Sequence, residues 1–134
     1  MKLIDLELLN TVTEQAKANS RLRMNYNFHV DSESKSQRLL NAMEPGTEMP
    51  IHRHLQTAES IILLRGKLKI VYYNDAAEII GSVELDPLNA VFGIEIPCGQ
   101  WHTLEVLESG SVIFEAKDGP YKPIEISDIL VTRI

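Results

Sequence analysis

Two histidines separated by one residue, with a glutamate shortly after them, constrain the fold of this chain more than any other feature. His52 and His54 lie in the segment GTEMPIHRHLQTAESIILLRG, residues 46–66, which also contains Glu59. On a β-strand, side chains two residues apart project from the same face, so both imidazoles can reach one ion. Imidazole nitrogens and a carboxylate are typical ligands of first-row transition metals. The segment therefore predicts part of a metal site built on short strands.

A second segment supplies a further ligand. Residues 97–102, PCGQWH, place His102 after a proline and a glycine, which favour a turn. The chain contains four histidines, and three of them fall in these two segments. We therefore predict that one divalent transition metal ion, namely Fe, Mn, Zn or Ni, is bound by His52, His54, Glu59 and His102.

The spacing of these residues resembles the two sequence motifs of the cupin superfamily. The first motif is matched at every position, whereas Val91 and Val106 stand where the second has a glycine and an asparagine. This resemblance implies a single small cupin barrel, a jelly roll or double-stranded β-helix, that carries a metal. The matched residues are Gly46, His52, His54, Glu59 and Gly66 in the first motif, and Pro97, Gly99 and His102 in the second.

Over most of its length the chain also resembles the WbuC-type cupin metalloproteins. The similar segments are RLRMNYNFH, QRLLN, the HRH core, WH and EAKDGPYKP. The resemblance implies a bacterial protein associated with gene clusters for lipopolysaccharide O-antigen or other surface polysaccharides, and hence a sugar or nucleotide-sugar ligand. From the habit of cupins we also expect a homodimer formed through the edge of a sheet.

The pattern of apolar residues predicts one all-β domain with an N-terminal helix. Residues 1–20 contain an amphipathic helix with Asp5 as N-cap, which we expect to cover an end or edge of a sheet rather than to bind a partner. About residues 21–117 contain many short strands separated by turns, as in a jelly roll. Residues 118–134 are expected to form a tail that packs on the barrel. The continuous apolar run at residues 61–64 predicts a strand buried on both faces.

Residues 21–30 alternate strictly between apolar and polar side chains, which predicts a half-buried strand. The polar side is either a solvated outer face or a rim that holds a polar, anionic substrate, and the sequence leaves both interpretations open. Glu115 and Lys117 are likewise either a solvated ion pair or pocket residues. The candidate substrate contacts are Arg21, Arg23, Asn25, Asn27 and Lys117, and the candidate proton carriers in catalysis are His29, Glu115 and Tyr26.

The composition argues against several classes of protein. A formal net charge of −6 disfavours binding to nucleic acid or to anionic membranes, because both need a basic surface. Cys98 is the only cysteine, so no intrachain disulfide can form, and the turn around it is expected to direct its thiol away from the metal. Asp5 and Glu7 interrupt the region where a secretion signal would be apolar. We expect a soluble cytoplasmic protein with a small-molecule ligand.

These features favour a metal-dependent enzyme over a binding module. A metal with open coordination positions polarises a substrate carbonyl or hydroxyl, or lowers the pKa of bound water. We predict an enzyme of the isomerase, epimerase or dioxygenase type that acts on a small polar or anionic substrate. Three alternatives stay open, namely a non-catalytic metal-dependent binding or sensor module, an iron-dependent dioxygenase, and a protein whose metal only holds the barrel closed.

Overall fold

A computed structural model of the chain describes residues 1–130. These residues form an α-helix, ten β-strands and two short 3-10 helices, at Pro87–Asn89 and Ile126–Asp128. The helix is α1 (Leu6–Ala18), and the strands are β1 (Arg23–Asn27), β2 (Ser36–Met43), β3 (Ile51–His52), β4 (Glu59–Arg65), β5 (Leu68–Tyr73), β6 (Ile79–Leu85), β7 (Gly93–Ile96), β8 (Trp101–Val106), β9 (Ser111–Asp118) and β10 (Ile129–Leu130).

The strands form two five-stranded antiparallel sheets. Sheet 1 has the strand order β1-β2-β9-β4-β7, and sheet 2 has the order β10-β3-β8-β5-β6. Strands that are distant along the chain are therefore neighbours in each sheet, as in a jelly roll. Both sheets contribute buried apolar side chains to one core, so that their inner faces enclose it. This arrangement confirms the predicted all-β jelly-roll fold with an N-terminal helix.

Helix α1 begins at the residue that the sequence predicts. The Asp5 carboxylate accepts a hydrogen bond of 3.0 Å from the Leu8 backbone amide, which is an N-cap. The apolar side of the helix packs on the outer face of sheet 1 at its β1 edge, in a cluster with Leu40, Ala42 and Val112. Within residues 1–130 no helix is both long enough and apolar enough to cross a membrane.

The outer face of β4 corrects one prediction. Ile61 and Leu63 on the inner face are each 2% exposed, whereas Ile62 is 49% exposed and Leu64 is 38% exposed on the outer face. The prediction that this strand is buried on both faces is therefore wrong. The physical reason is that α1 packs mainly on β1, β2 and β9, and reaches β4 through Arg65 at its end, so Ile62 and Leu64 stay exposed.

Two glycines of the first motif occupy backbone conformations that favour glycine. The φ angle is +96° at Gly46 and +98° at Gly66, both in the left-handed region where a side chain is strained. At Gly66, a Cβ atom would also lie 2.1 Å from the hydroxyl oxygen of Ser111. The spacing of the motif is therefore partly the spacing of two turns that bracket β3 and β4.

The segment after β9 returns to sheet 2. Strand β10 pairs with β3 and places Ile129 opposite His52. The neighbouring Arg53 donates a backbone hydrogen bond of 3.1 Å to Asp128 and a side-chain hydrogen bond of 3.0 Å to the same residue. Up to residue 130 the tail thus lies against the barrel, and the remaining part of the predicted tail, residues 131–134, lies outside the described residues.

Candidate metal centre

Four side chains converge at one end of the barrel interior. His52 ends β3, Glu59 begins β4 and His102 is the second residue of β8, while His54 lies in the loop after β3. The pairing of β3 with β8 places His52 directly opposite His102. The structure therefore brings together the four residues that the sequence predicts as metal ligands.

The position of His54 differs from the predicted one. Strand β3 ends at His52, so the two histidines do not share a strand. The backbone oxygen of His54 accepts a hydrogen bond of 2.8 Å from the Gly99 amide, which anchors the loop to the turn before β8. The two imidazole rings lie 5.2 Å apart and are nearly perpendicular, at 85°. A loop contact, rather than strand alternation, thus directs both rings to one place.

The distances within the cluster are close to those of ligands around one ion. The Glu59 Oε2 atom lies 3.7 Å from Nε2 of His54 and 3.6 Å from Nε2 of His102. Two ligand atoms at bonds of about 2.1 Å in a tetrahedral arrangement would be about 3.4 Å apart. Within residues 1–130, no three His, Cys, Asp or Glu side chains yet lie close enough together to bind one metal ion. The cluster therefore needs a small contraction to hold an ion.

Backbone carbonyls orient two of the imidazoles. Nδ1 of His52 lies 2.9 Å from the Pro50 oxygen, and Nδ1 of His102 lies 2.9 Å from the Gln100 oxygen. Because a carbonyl oxygen only accepts hydrogen bonds, each Nδ1 carries a proton, and each Nε2 is the ring nitrogen that remains to bind an ion. At His102, Nε2 lies 3.6 Å from the buried Glu59 carboxylate. A cation between them satisfies both groups, and metal-binding histidines use the same Nδ1 hydrogen bond. The donor set fits a divalent transition metal.

The pKa shifts of His52, His54 and Glu59 favour neutral imidazoles and an ionised carboxylate, which are the forms that bind a metal. Burial, followed by the charge of His102, lowers the pKa of His52 to about 4. Burial is also the main cause that lowers the pKa of His54. Burial alone would raise the pKa of Glu59, but hydrogen bonding to His102 and the charge of His54 outweigh it and lower this pKa to about 2. When the imidazoles are neutral, a bound metal ion would supply the positive charge that balances the Glu59 carboxylate.

Glu115 extends the cluster along β9. The register places Lys117 directly opposite Glu59, and Glu115 lies two residues earlier on the same inner face. Burial, the charge of Glu59 and a hydrogen bond to Glu59 raise the pKa of Glu115 to about 8. At neutral pH, Glu115 is therefore protonated and lies beside the carboxylate of Glu59, a predicted metal ligand.

Asn41 belongs to this polar group, although the sequence pattern does not reveal it. The register of β2 places it between Asn25 on β1 and Ile113 on β9. It is 7% exposed and is hydrogen-bonded to Glu115, while its Oδ1 atom has no hydrogen-bond partner within residues 1–130. The sequence signal for Asn41 is weak. The inner-facing positions of β2 alternate between polar and apolar residues, which are Gln37, Leu39, Asn41 and Met43.

The substrate rim predicted on β1 faces the same way as Asn41. Burial and then the charge of Arg21 lower the pKa of Arg23, while Glu115 opposes the shift, so Arg23 lies within electrostatic reach of Glu115. The polar side of β1 is therefore on the inner face of sheet 1, at an edge that is open to solvent. The exposed members of the rim are Arg21, Asn25 and Asn27.

Two predicted proton carriers lie away from the cluster. Tyr26 projects from the outer face of β1 and packs against Phe28 in the helix-side cluster, with ring centroids 5.3 Å apart. His29 lies in the connection between β1 and β2, where its Nδ1 is 3.0 Å from the Arg38 backbone nitrogen. Strand alternation turns Tyr26 to the face opposite Asn25 and Asn41.

Two pockets of different chemistry reach the cluster. A polar pocket of about 470 Å³ lies between the loop after β3 and the tail, and an apolar pocket of about 340 Å³ lies between β7 and strands β5 and β6. The polar pocket is lined by Arg53, His54, Gln56, Lys117, Lys122 and Asp128, among others, and the apolar pocket by Ile70, Tyr72, Val83, Ile94, Ile96 and His102, among others.

Sequence comparison assigns the chain to a family. Residues 4–85 match the family described as a domain of unknown function (DUF6016), and this match covers more than half of the chain. It includes His52, His54 and Glu59 and ends before His102. No curated protein matches the chain.

Comparison with solved structures shows the fold. The capsular polysaccharide assembling protein CapF from Staphylococcus aureus is 21% identical with a TM-score of 0.64, and the match covers 78% of this chain but only 30% of CapF. KdgF from Halomonas sp. is 13% identical with a TM-score of 0.57, over 75% of this chain and 82% of KdgF. The cupin domain of Cnp3 from Schizosaccharomyces pombe is 12% identical with a TM-score of 0.55, over 72% of this chain and 63% of that domain. The chain therefore has the predicted cupin fold and belongs to the family described as a domain of unknown function (DUF6016).

Proposed function

We propose that this protein is a WbuC-type cupin metalloprotein, an enzyme that uses one divalent transition metal ion to act on a small polar or anionic substrate. One observation carries the proposal: Oε2 of Glu59 lies 3.7 Å from Nε2 of His54 and 3.6 Å from Nε2 of His102. Backbone carbonyls orient the rings of His52 and His102 in the same cluster. His52, His54, Glu59 and His102 would hold the ion, which when bound supplies a Lewis acid for a substrate oxygen.

The polar residues beside the ligands have separate roles in this proposal. Glu115 keeps a proton on its carboxyl group at neutral pH, next to Glu59, and is the candidate general acid. Lys117 lies at the junction of the cluster and the polar pocket, where its ammonium group would orient an anionic part of the substrate. Burial of the cluster excludes bulk water, which strengthens both interactions.

We further propose that the substrate is a sugar or nucleotide sugar of surface-polysaccharide metabolism, such as O-antigen synthesis. The support is the WbuC-type resemblance, the fold shared with a capsular polysaccharide assembling protein, and a polar pocket of about 470 Å³ at the cluster. That volume lies in the range typical of small-molecule sites.

Metal analysis tests the site itself. The protein is purified without chelator as wild type, His52→Ala, His102→Ala and His29→Ala, which changes the histidine outside the cluster. We expect about one ion per chain in the wild type and in His29→Ala, and binding weakened by more than about 100-fold in the other two variants, because loss of an outer-sphere partner alone costs about 10- to 100-fold. Unchanged metal content in both His52→Ala and His102→Ala would end the proposal.

Turnover separates an enzyme from a binding module. Sugar nucleotides, keto acids and catechols are incubated with the protein, with and without metal and oxygen. Turnover that is lost in His102→Ala and kept in His29→Ala supports the enzyme. Tight, metal-dependent sugar binding without turnover instead supports a sensor or binding module, and an effect of metal on stability alone supports a structural ion.

A further inference from the structure

The apolar pocket has the construction of a ligand chamber. Its volume of about 340 Å³ is in the range of small-molecule sites. Its walls come from both sheets, with Ile70 and Val83 on one side and Ile94 and Ile96 on the other. These four side chains belong to the barrel core or pack against it. The chamber therefore extends the apolar core up to His102.

Tyr72 lines the chamber and carries a hydroxyl group. The register of β5 and β8 places Tyr72 directly opposite His102, and the register of β5 and β6 places it opposite Gly81. A Cβ atom at Gly81 would lie 2.6 Å from the Tyr72 ring. The absence of a side chain at Gly81 therefore allows the Tyr72 ring to lie across β6.

Gln100 provides a hydrogen-bond acceptor at the same end of the chamber. Its Nε2 donates to the backbone oxygens of Tyr73 at 2.9 Å and Trp101 at 3.0 Å. Both amide hydrogens are then in use, so the Oε1 atom is left to accept. The residues that line the pocket thus include a phenol, which donates and accepts, and an amide whose oxygen can accept.

The charge of the chamber differs from that of the polar pocket. Arg53, Lys117 and Lys122 line the polar pocket, whereas within residues 1–130 no lysine or arginine lines the apolar one. Its ionisable side chains are those of Glu95, His102 and Tyr72. An anionic group in this chamber would lose its hydration without gaining a cationic side chain, which disfavours it.

We propose that the apolar chamber binds an uncharged, ring-sized apolar group that carries a hydroxyl. The ring packs against Ile70, Val83 and Ile94, and the hydroxyl bonds to Tyr72 and to the Gln100 oxygen. The inference rests on the proposed function in one respect, because it assigns this group to a ligand of the same centre that His102 completes.

Phenol is a suitable probe, and metal-free protein keeps the test separate from metal binding. Phenol is titrated into protein with isotope-labelled methyl groups, and NMR shifts are followed. We expect shifts at the methyl groups of Ile70, Val83, Ile94 and Ile96, and benzoate, the charged analogue, should bind at least about 10-fold more weakly. Tyr72→Phe, which removes only the hydroxyl, should weaken phenol binding by about 3- to 10-fold.

A wall substitution and its matched control complete the test. Val83→Phe fills the chamber and should abolish the phenol shifts, whereas Ile62→Phe, on the exposed outer face of β4, should leave them unchanged. If Val83→Phe does not fold, Gly81→Ala displaces the Tyr72 ring and should weaken binding instead.

Three results would overturn the inference: no shifts at the wall methyls, shifts that survive in the chamber variant, or benzoate binding as tight as phenol binding. Metal content is measured on the same samples. If the protein binds phenol but takes up no metal, the ligand chamber is supported and the proposed function is refuted. If it takes up metal but does not bind phenol, the proposed function is supported and the ligand chamber is refuted.

Discussion

The two ends of the barrel interior are built from the same strands but differ in chemistry. The inner-facing residues of β4, β5, β8 and β9 are apolar at one end, and within two to four residues they become polar or ionisable at the other. The pairs, apolar residue first, are Leu63 and Glu59 on β4, Leu68 and Tyr72 on β5, Val106 and His102 on β8, and Ile113 and Glu115 on β9. Strand alternation decides which face of the sheet a residue occupies. The position of the residue along the strand decides whether it lies in the apolar core or in the polar cluster.

The two ends also differ in what they contribute to stability. At the apolar end, burial of side chains such as Leu68 and Ile113, each 0% exposed, stabilises the fold. At the polar end, Glu115 is kept neutral by burial, and the Asn41 Oδ1 atom has no hydrogen-bond partner among residues 1–130. Both conditions cost free energy. The polar end is therefore a cost that the apolar end offsets, and three predictions test this division.

The largest effect is expected at the apolar end. Leu68→Ala should lower the free energy of unfolding by about 2–5 kcal/mol, since it leaves a cavity in a close-packed core. The measurement is chemical denaturation followed by two independent probes. Metal bound per folded chain should not change, because Leu68 lies four residues from Tyr72, at the other end of β5. A loss of metal with little loss of stability would contradict the division.

A smaller effect is expected from acid at the polar end. In metal-free protein, the pKa of His52 is about 4 in the folded state against the usual 6.5. Between these pH values the unfolded chain binds more protons, so stability should fall as the pH falls from 6.5 to 4, by at most about 1.4 kcal/mol per pH unit for this group. His52→Gln should reduce the slope of unfolding free energy against pH, and His29→Gln, the matched control, should keep it. An unchanged slope in His52→Gln would show that His52 is not protected from protonation.

The smallest effect is expected in mild alkali. The pKa of Glu115 is about 8 in the folded state against the usual 4.5, so the folded state holds an extra proton between these values. Its contribution to stability is complete below pH 4.5 and is lost as the pH rises towards 8. Metal-free protein should therefore unfold more easily at pH 8 than at pH 6.5, by about 1.6 kcal/mol. Glu115→Gln should remove this difference, and a difference that persists in this variant would assign it to another group.

Local chemistry explains what the sequence predicts correctly. The N-cap at Asp5 depends on one hydrogen bond to a residue three positions away. The turns at Gly46 and Gly66 depend on backbone angles that glycine alone adopts without strain. The alternation on β1 separates the residues under the helix from those on the inner face. These features need no knowledge of distant contacts, and with the alternation of the other strands they were enough to predict the fold class.

Only the tertiary structure decided the rest, because it depends on which elements meet. Ile62 and Leu64 are exposed because the helix covers a different part of sheet 1. His54 reaches the cluster through a loop held by Gly99, which lies 45 positions further along the chain. Tyr72 becomes a wall of the chamber because β5 pairs with β8 and β6. The sequence determined which side chains could bind a metal, while pairing between distant strands determined where they meet and what surrounds them.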